Sequence, residues 1–325
     1  MQRTLLIIAL VCLVAIAATF AYFRINGTRH ISPNDSQSQT VRAHDARYWA
    51  DVIKKEGPEK AHDLMLGEGN TISKLSAHML AHSFGEALFD TGGLPSVVYC
   101  GAGEFLFGCY HQFMAMATAQ YGVDAISKIK PICEIADNRA SCIHGLGHGL
   151  IGAYGYDQSG LDKALAECKT LYSVDNDRQI CADGVFMEYN LHMGISGSNA
   201  SDHRTFSSSA AYEPCTTVAS EFRDQCIFEL PLWWYYSISA SSTDAVFREM
   251  GDLCRSAPST ISQKACLTGS GFPVAVEAQD QADRLTALCA LVGNTDSEQS
   301  ICMAGAHSCF YSDPIHVVWK YGVLR

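Results

Sequence analysis

Residues 161–184, LDKALAECKTLYSVDNDRQICADG, hold two cysteines 13 positions apart, and their reading decides the fold. Leu161, Ala164, Leu165 and Cys168 recur at i, i+3, i+4 and i+7, the apolar stripe of an amphipathic helix. KTLYSVDNDRQI is a polar connector, and after Cys181 the apolar spacing resumes with a glycine at the third position on.

The same arrangement recurs along the chain. Apart from Cys12 there are thirteen cysteines, and twelve of them form the short-range pairs Cys100/Cys109, Cys133/Cys142, Cys168/Cys181, Cys215/Cys226, Cys254/Cys266 and Cys289/Cys302. The second members follow one another at intervals of 33, 39, 45, 40 and 36 residues. A self-similar period of this size marks stacked helical hairpins. CIHG, CADG, CLTG and CMAG repeat the glycine after the second cysteine. The expected fold is an all-α solenoid of hairpins, with one helix opening at each second cysteine and a shorter one closing at the next unit's first.

Two roles are open to the cysteines. Cys109-Tyr110-His111 and Cys142-Ile143-His144 have a C-x-H spacing compatible with zinc. The pairs persist, however, in the last three units, where no histidine follows at that offset, so cysteine and histidine vary independently. Structural disulfides in an exported chain fit that independence. A staple across a connector of this size contributes on the order of 3 kcal/mol in the chain-entropy model. Cys309 is left over as a candidate free thiol.

The pattern resembles Sel1-like repeats, relatives of the tetratricopeptide repeat, and above all the secreted cysteine-rich forms in which each hairpin carries a cysteine pair. ALAEC…ICADG and DLC…ACLTG carry the likeness, over roughly residues 96–305. It implies an architecture of stacked hairpins. The histidines are no part of that family's pattern, so it implies no activity.

Thr4 to Phe23, TLLIIALVCLVAIAATFAYF, is uncharged and lies between Arg3 and Arg24. About 20 apolar residues at about 1.5 Å each just cross the hydrocarbon core. An uncleaved anchor and a signal peptide cut near Ala15-Ile16-Ala17 both fit; the run continues to Phe23, which favours the anchor. The polar segment after it reads as a spacer. The expected organisation is a signal anchor or transmembrane helix over 1–23, a flexible linker over 24–43 and a helical-repeat domain over 44–325. The domain then sits in an oxidising exported compartment, periplasmic or extracellular/lumenal. A net charge of −11 without a basic block argues against nucleic acid as a partner. There is no phosphate-binding glycine loop, no nucleophile elbow and no dinucleotide fingerprint.

Counting from each second cysteine, offset +2 is His111, His144, Asp183, Phe228, Thr268 and Ala304, and offset +6 is His148 in the second unit. One unit upstream, Ser76 stands 33 residues before Cys109 and brings His78 to +2 and His82 to +6. Offsets +2 and +6 share a helix face, and an i,i+4 histidine pair can chelate one metal ion. Stacking would carry His78, His82, His111, His144 and His148 to one place as ligands of a divalent transition metal. Imidazole suits zinc, copper and iron alike. Glu86, eight residues beyond His78, is a candidate for proton transfer, and Asp183, next in line at +2, is a candidate base or further ligand. Glu188 shares Asp183's segment and the same candidacy.

Gly145, Gly149 and Gly152 make a stripe without side chains beside His144 and His148, expected to let the neighbouring histidine helix approach. Leu232-Trp233-Trp234-Tyr235-Tyr236 reads as core, and Met193 to Ala210 as a loop insertion in the longest interval. Two functions stay open at this level. One is a membrane-anchored exported metalloprotein, an enzyme if its metal keeps open positions; the other is a metal-free scaffold binding a protein or peptide.

Overall fold

Each polar connector contains the start of a helix, so the hairpins close more tightly than the cysteine spacing suggests. The computed structural model describes residues 44–101, 104–105, 107–136, 138–192, 204–279 and 281–310. The apolar run Thr4–Phe23, the spacer after it and 193–203 of the expected loop lie outside the described residues. Among the described residues there are fourteen α-helices and no strand, and no helix is long and apolar enough to cross a membrane.

In chain order the helices are α1 Ala46–Glu56, α2 Pro58–Gly69, α3 Lys74–Gly92, α4 Gly108–Tyr121, α5 Asp124–Cys133, α6 Arg139–Tyr154 and α7 Gln158–Leu171. There follow α8 Asp175–Leu191, α9 Arg223–Ser237, α10 Thr243–Arg255, α11 Thr260–Gly269, α12 Gly271–Ala278, α13 Ala282–Val292 and α14 Asp296–Phe310. The connector KTLYSVDNDRQI is mostly helical, because α7 runs on to Leu171 and α8 begins at Asp175. Helices α8, α11 and α14 all begin about a turn and a half before their cysteine rather than at it.

Short polar side chains start these helices where the sequence places them. Asn138 accepts from the Ser141 N–H to open α6, and Asp157 accepts from Gly160 to open α7. Each satisfies one backbone donor that the first turn leaves without an intrahelical partner. Gly155 closes α6 in a backbone conformation with φ of 101°, its N–H bonded to the Ile151 carbonyl.

Six disulfides join cysteines that are neighbours in the chain: Cys100–Cys109, Cys133–Cys142, Cys168–Cys181, Cys215–Cys226, Cys254–Cys266 and Cys289–Cys302. They take every cysteine of the two C-x-H segments out of metal binding. They also point to an oxidising, exported compartment.

Helix α3, with Ser76 in the cysteine's place, and the helices that carry second cysteines pack in succession: α3 on α4, α4 on α6, α6 on α8, α8 on α9, α9 on α11 and α11 on α14. The helices that carry first cysteines flank them, α5 against α6, α7 against α8, α10 against α11 and α13 against α14. This arrangement explains the two sequence types. The flanking helix α7 buries one stripe, including Leu161, Ala164, Leu165 and Cys168, and leaves the rest to water. The stacked helices have neighbours on two sides and a flanking helix on a third, so α6 is buried without a break from Ser141 to Ile151. His144 and His148, both on α6, are buried and find their partners inside.

Unit four departs from the pattern. Its first cysteine, Cys215, lies on no α-helix but between two 3-10 turns, Ser208–Ala210 and Ser220–Phe222. Arg204 pins this segment: its guanidinium lies 3.9 Å from the Trp233 ring centroid, and its carbonyl accepts from Trp233 Nε1 at 2.7 Å. Leu232, Trp233 and Trp234 are buried, as expected of core, whereas Tyr236 at the end of that run is 41% exposed.

Candidate metal centre

In three units the glycine after the second cysteine sets how closely one stacked helix approaches the last. A β-carbon on Gly184, Gly269 or Gly305 would collide with the carbonyl oxygen of His144, Phe228 or Thr268 respectively. In each case glycine at offset +3 meets the backbone of offset +2 in the preceding unit. The contact locks the register, so equivalent offsets stay beside one another from unit to unit. The stripe Gly145, Gly149 and Gly152 faces α4, as expected: β-carbons there would press on Tyr110, Met114 and Thr118. Gly147, outside that stripe, makes the closer approach to α8, where a β-carbon would strike the Cys181 carbonyl.

Between α3 and α4 the same part falls to Gly85 and Gly108, whose β-carbons would strike the carbonyls of Cys109 and His78, and the stacked helices bring all five predicted histidines together. Ring centroids of His78 and His82 are 4.6 Å apart, and those of His144 and His148 are 4.8 Å apart. His111 lies between the pairs, 5.5 Å from His78, 5.7 Å from His82, 5.4 Å from His144 and 4.2 Å from His148. None of the five is more than 7% exposed.

Each outer histidine has its Nδ1 turned to an acceptor. His78 Nδ1 donates to the Phe105 carbonyl at 2.8 Å, and His82 Nδ1 faces the Gln112 Oε1 at 3.4 Å. His144 Nδ1 donates to Asp183 at 3.0 Å and His148 Nδ1 to Glu188 at 2.9 Å. Those partners make Nδ1 the protonated nitrogen and leave each Nε2 with a lone pair. Yet His78 Nε2 lies 3.1 Å from His82 Nε2, and His144 Nε2 lies 3.0 Å from His148 Nε2. Two lone pairs repel at that distance unless a cation or a proton lies between them. Two nitrogens bound at about 2.05 Å to one ion, at 90–109°, stand roughly 2.9–3.4 Å apart. Both observed separations fall in that range.

The carboxylates are themselves held. Asp183 also accepts a hydrogen bond from the Gln225 amide, and Glu188 accepts from the Tyr156 hydroxyl at 2.6 Å. Both carboxylates are buried. A buried carboxylate is costly unless it is hydrogen-bonded and positive charge lies nearby. A carboxylate on the far nitrogen of a histidine is also the usual arrangement behind a metal ligand.

Burial holds the first three imidazoles neutral. His78 is lowered to about 4, because desolvation outweighs its bond to the Phe105 carbonyl. Burial takes His82 and His111 well below the ordinary imidazole value, helped by neighbouring histidines. Neutral imidazole is the form that binds metal.

His111 is the exception among the five. Neither of its ring nitrogens has a hydrogen-bond partner among the described residues, although it is only 2% exposed. A neutral imidazole must keep one N–H, and burying that group without an acceptor costs roughly 1–3 kcal/mol. An ion bound at His111 would satisfy a nitrogen that no hydrogen bond satisfies.

Asp183 and Glu188 thus join the site as carboxylates behind histidines. Glu86 lies about 12 Å along α3 from His78 and about 6 Å from His82. It is half-buried with Asp90 and Asp45 as its charged neighbours; burial first, then these two, raises its pKa. No hydrogen bond ties it to an imidazole among the described residues. Gln112, Gln225 and Tyr156 escape a sequence reading. Only Gln112 left a signal: it stands at offset +3, where four other units carry glycine. Cys309 lies on α14 but its side chain is outside the described set.

The described residues therefore contain two histidine groups able to hold a metal ion, His78–His82–His111 and His111–His144–His148. Comparison with protein-family models, with curated proteins and with solved structures returned no match.

Proposed function

We propose that the chain is a membrane-anchored exported metalloprotein whose stacked hairpins form a solenoid of Sel1-like character. The ligands are His78, His82, His111, His144 and His148, and the metal is zinc, copper or iron. One observation carries the reading: His111 is fully buried with both nitrogens unpartnered, between two histidine pairs whose Nε2 atoms face each other at 3.0–3.1 Å. The run Thr4–Phe23 supplies the anchor in this reading, and the disulfides support the compartment.

A bound divalent ion supplies Lewis acidity or, for copper and iron, one-electron chemistry. The chain's own residues set what can reach it. With the imidazoles almost wholly buried, only a small reactant such as water or dioxygen, or an electron, has access; a peptide or polysaccharide does not. Asp183 and Glu188 fix the His144 and His148 rings, and Glu188 links His148 to Tyr156, which is partly exposed. That chain of hydrogen bonds is a path for a proton between the site and the surface.

The test is metal analysis of the purified full chain, beside His144→Ala/His148→Ala. Stoichiometric metal in the first and a loss in the second are expected. A folded, helical wild-type chain that holds no metal after incubation with zinc, copper or iron would overturn the reading and leave a metal-free scaffold.

A further inference from the structure

Resting on the metal reading above, we infer that the centre is dinuclear: two ions, one held by each histidine pair, bridged by the imidazolate of His111. Among the described residues the ligand atoms form two triads, each with atoms within 4.8 Å of one another, rather than one group of five. The triads share His111 alone. An imidazole carries its two nitrogens on opposite sides of the ring, and in His111 both are buried and unpartnered.

Bridging removes both deficits together. His111 gives up its N–H proton to solvent, and each nitrogen donates a lone pair to one ion. No other group changes its protonation, since the remaining four histidines keep Nδ1–H on their acceptors. Each ion then has three nitrogen ligands, two Nε2 atoms and one from His111, the number that leaves a tetrahedral ion one open position. Two bonds of about 2.0–2.1 Å and the ring between them put the ions roughly 6 Å apart. The charge also improves. Two divalent ions are offset by the His111 imidazolate, Asp183 and Glu188, leaving one positive charge for a bound hydroxide or other small anion.

The two positions are unequal. His144 and His148 are backed by carboxylates, whereas His78 and His82 are backed by a carbonyl and an amide oxygen. Carboxylates raise the basicity of a ligating imidazole more than neutral acceptors do. The ion at His111–His144–His148 binds first and more tightly.

The experiment is a titration of the metal-free full chain with zinc, with bound metal counted after dialysis, and a parallel loading with copper(II) followed by electron paramagnetic resonance. Two equivalents taken up in two steps are expected, with the spin signal of fully loaded protein well below its copper content, because an imidazolate bridge pairs the two spins. His78→Ala/His82→Ala should retain one tight equivalent and the full signal of isolated copper. Uptake of one equivalent by the wild-type chain overturns the dinuclear inference and leaves the metalloprotein reading intact. Two equivalents with an undiminished signal overturn the bridge. No uptake overturns the metal reading itself. The wild-type result decides without any variant having to fold.

Discussion

Glu188 on α8 holds the Nδ1 of His148 on α6 at 2.9 Å, while its other oxygen takes the Tyr156 hydroxyl at 2.6 Å. This one carboxylate therefore fixes the tautomer of a histidine forty residues away in the chain. Glu188→Gln retains an acceptor and removes the charge. Metal affinity is expected to fall by about 10- to 100-fold, as when other such outer partners are replaced. Competition against a chelator measures it, with circular dichroism reporting the fold. An unchanged affinity would show that the carboxylate does not act on the ion.

Acid should destabilise the metal-free chain in a defined window. His78 has a folded value of about 4 against 6.5 when exposed, and His82 and His111 move in the same direction. A depressed value means that the unfolded chain binds protons the folded one refuses, so stability rises with pH across the window. The stabilisation is complete above pH 6.5 and drains away as pH falls towards 4. His78 alone accounts for about 3 kcal/mol. Thermal melts of metal-free protein at pH 7.5 and pH 5 should differ by several degrees; equal midpoints would mean that these rings titrate normally.

Close approach of α8 to α6 depends on the absence of a side chain at Gly184. Gly184→Ala drives a methyl group into the His144 carbonyl, and with α8 pushed away Asp183 and Glu188 withdraw from their histidines. A loss of roughly 1–3 kcal/mol, the usual cost of overpacking, is expected together with weaker metal binding. Gly67→Ala on α2 is the control. Nothing lies within 4 Å of its β-carbon, so it should be neutral or stabilise by up to about 1 kcal/mol. Urea titrations that ranked the two variants the other way would contradict the packing.

Breaking one staple should cost stability without altering the repeat. Cys168→Ser/Cys181→Ser opens a loop with a sequence separation of 13 residues. In the chain-entropy model this costs roughly 2–4 kcal/mol. Chemical denaturation of wild-type and double-variant protein reads the difference, and a gap below the error of that measurement would assign the bridge no stabilising role.

Much of this molecule is legible in one dimension. The cysteine interval, the stripe Leu161–Ala164–Leu165–Cys168 and the glycine at offset +3 together define hairpins and their order, because these features depend only on a residue's place within its own unit. The histidine offsets belong to the same class. Once equivalent positions stack, His78, His111 and His144 must come near one another, and Asp183 must follow. Glu86 shows the limit: it shares a helix face with His78 and His82, yet no hydrogen bond joins it to an imidazole among the described residues, and its charged neighbours are Asp90 and Asp45.

What only the tertiary structure decided is which atoms meet across units. Glu188 finds His148, Gln112 fills the place of a glycine to face His82, and Gln225 reaches back to Asp183 from the following helix. None of these pairings follows from spacing, since each depends on how far one helix is displaced and rotated against the next. The chain alone determined that five imidazoles would gather. Packing between backbones, at distances that only glycine permits, determined that they gather as two pairs around His111.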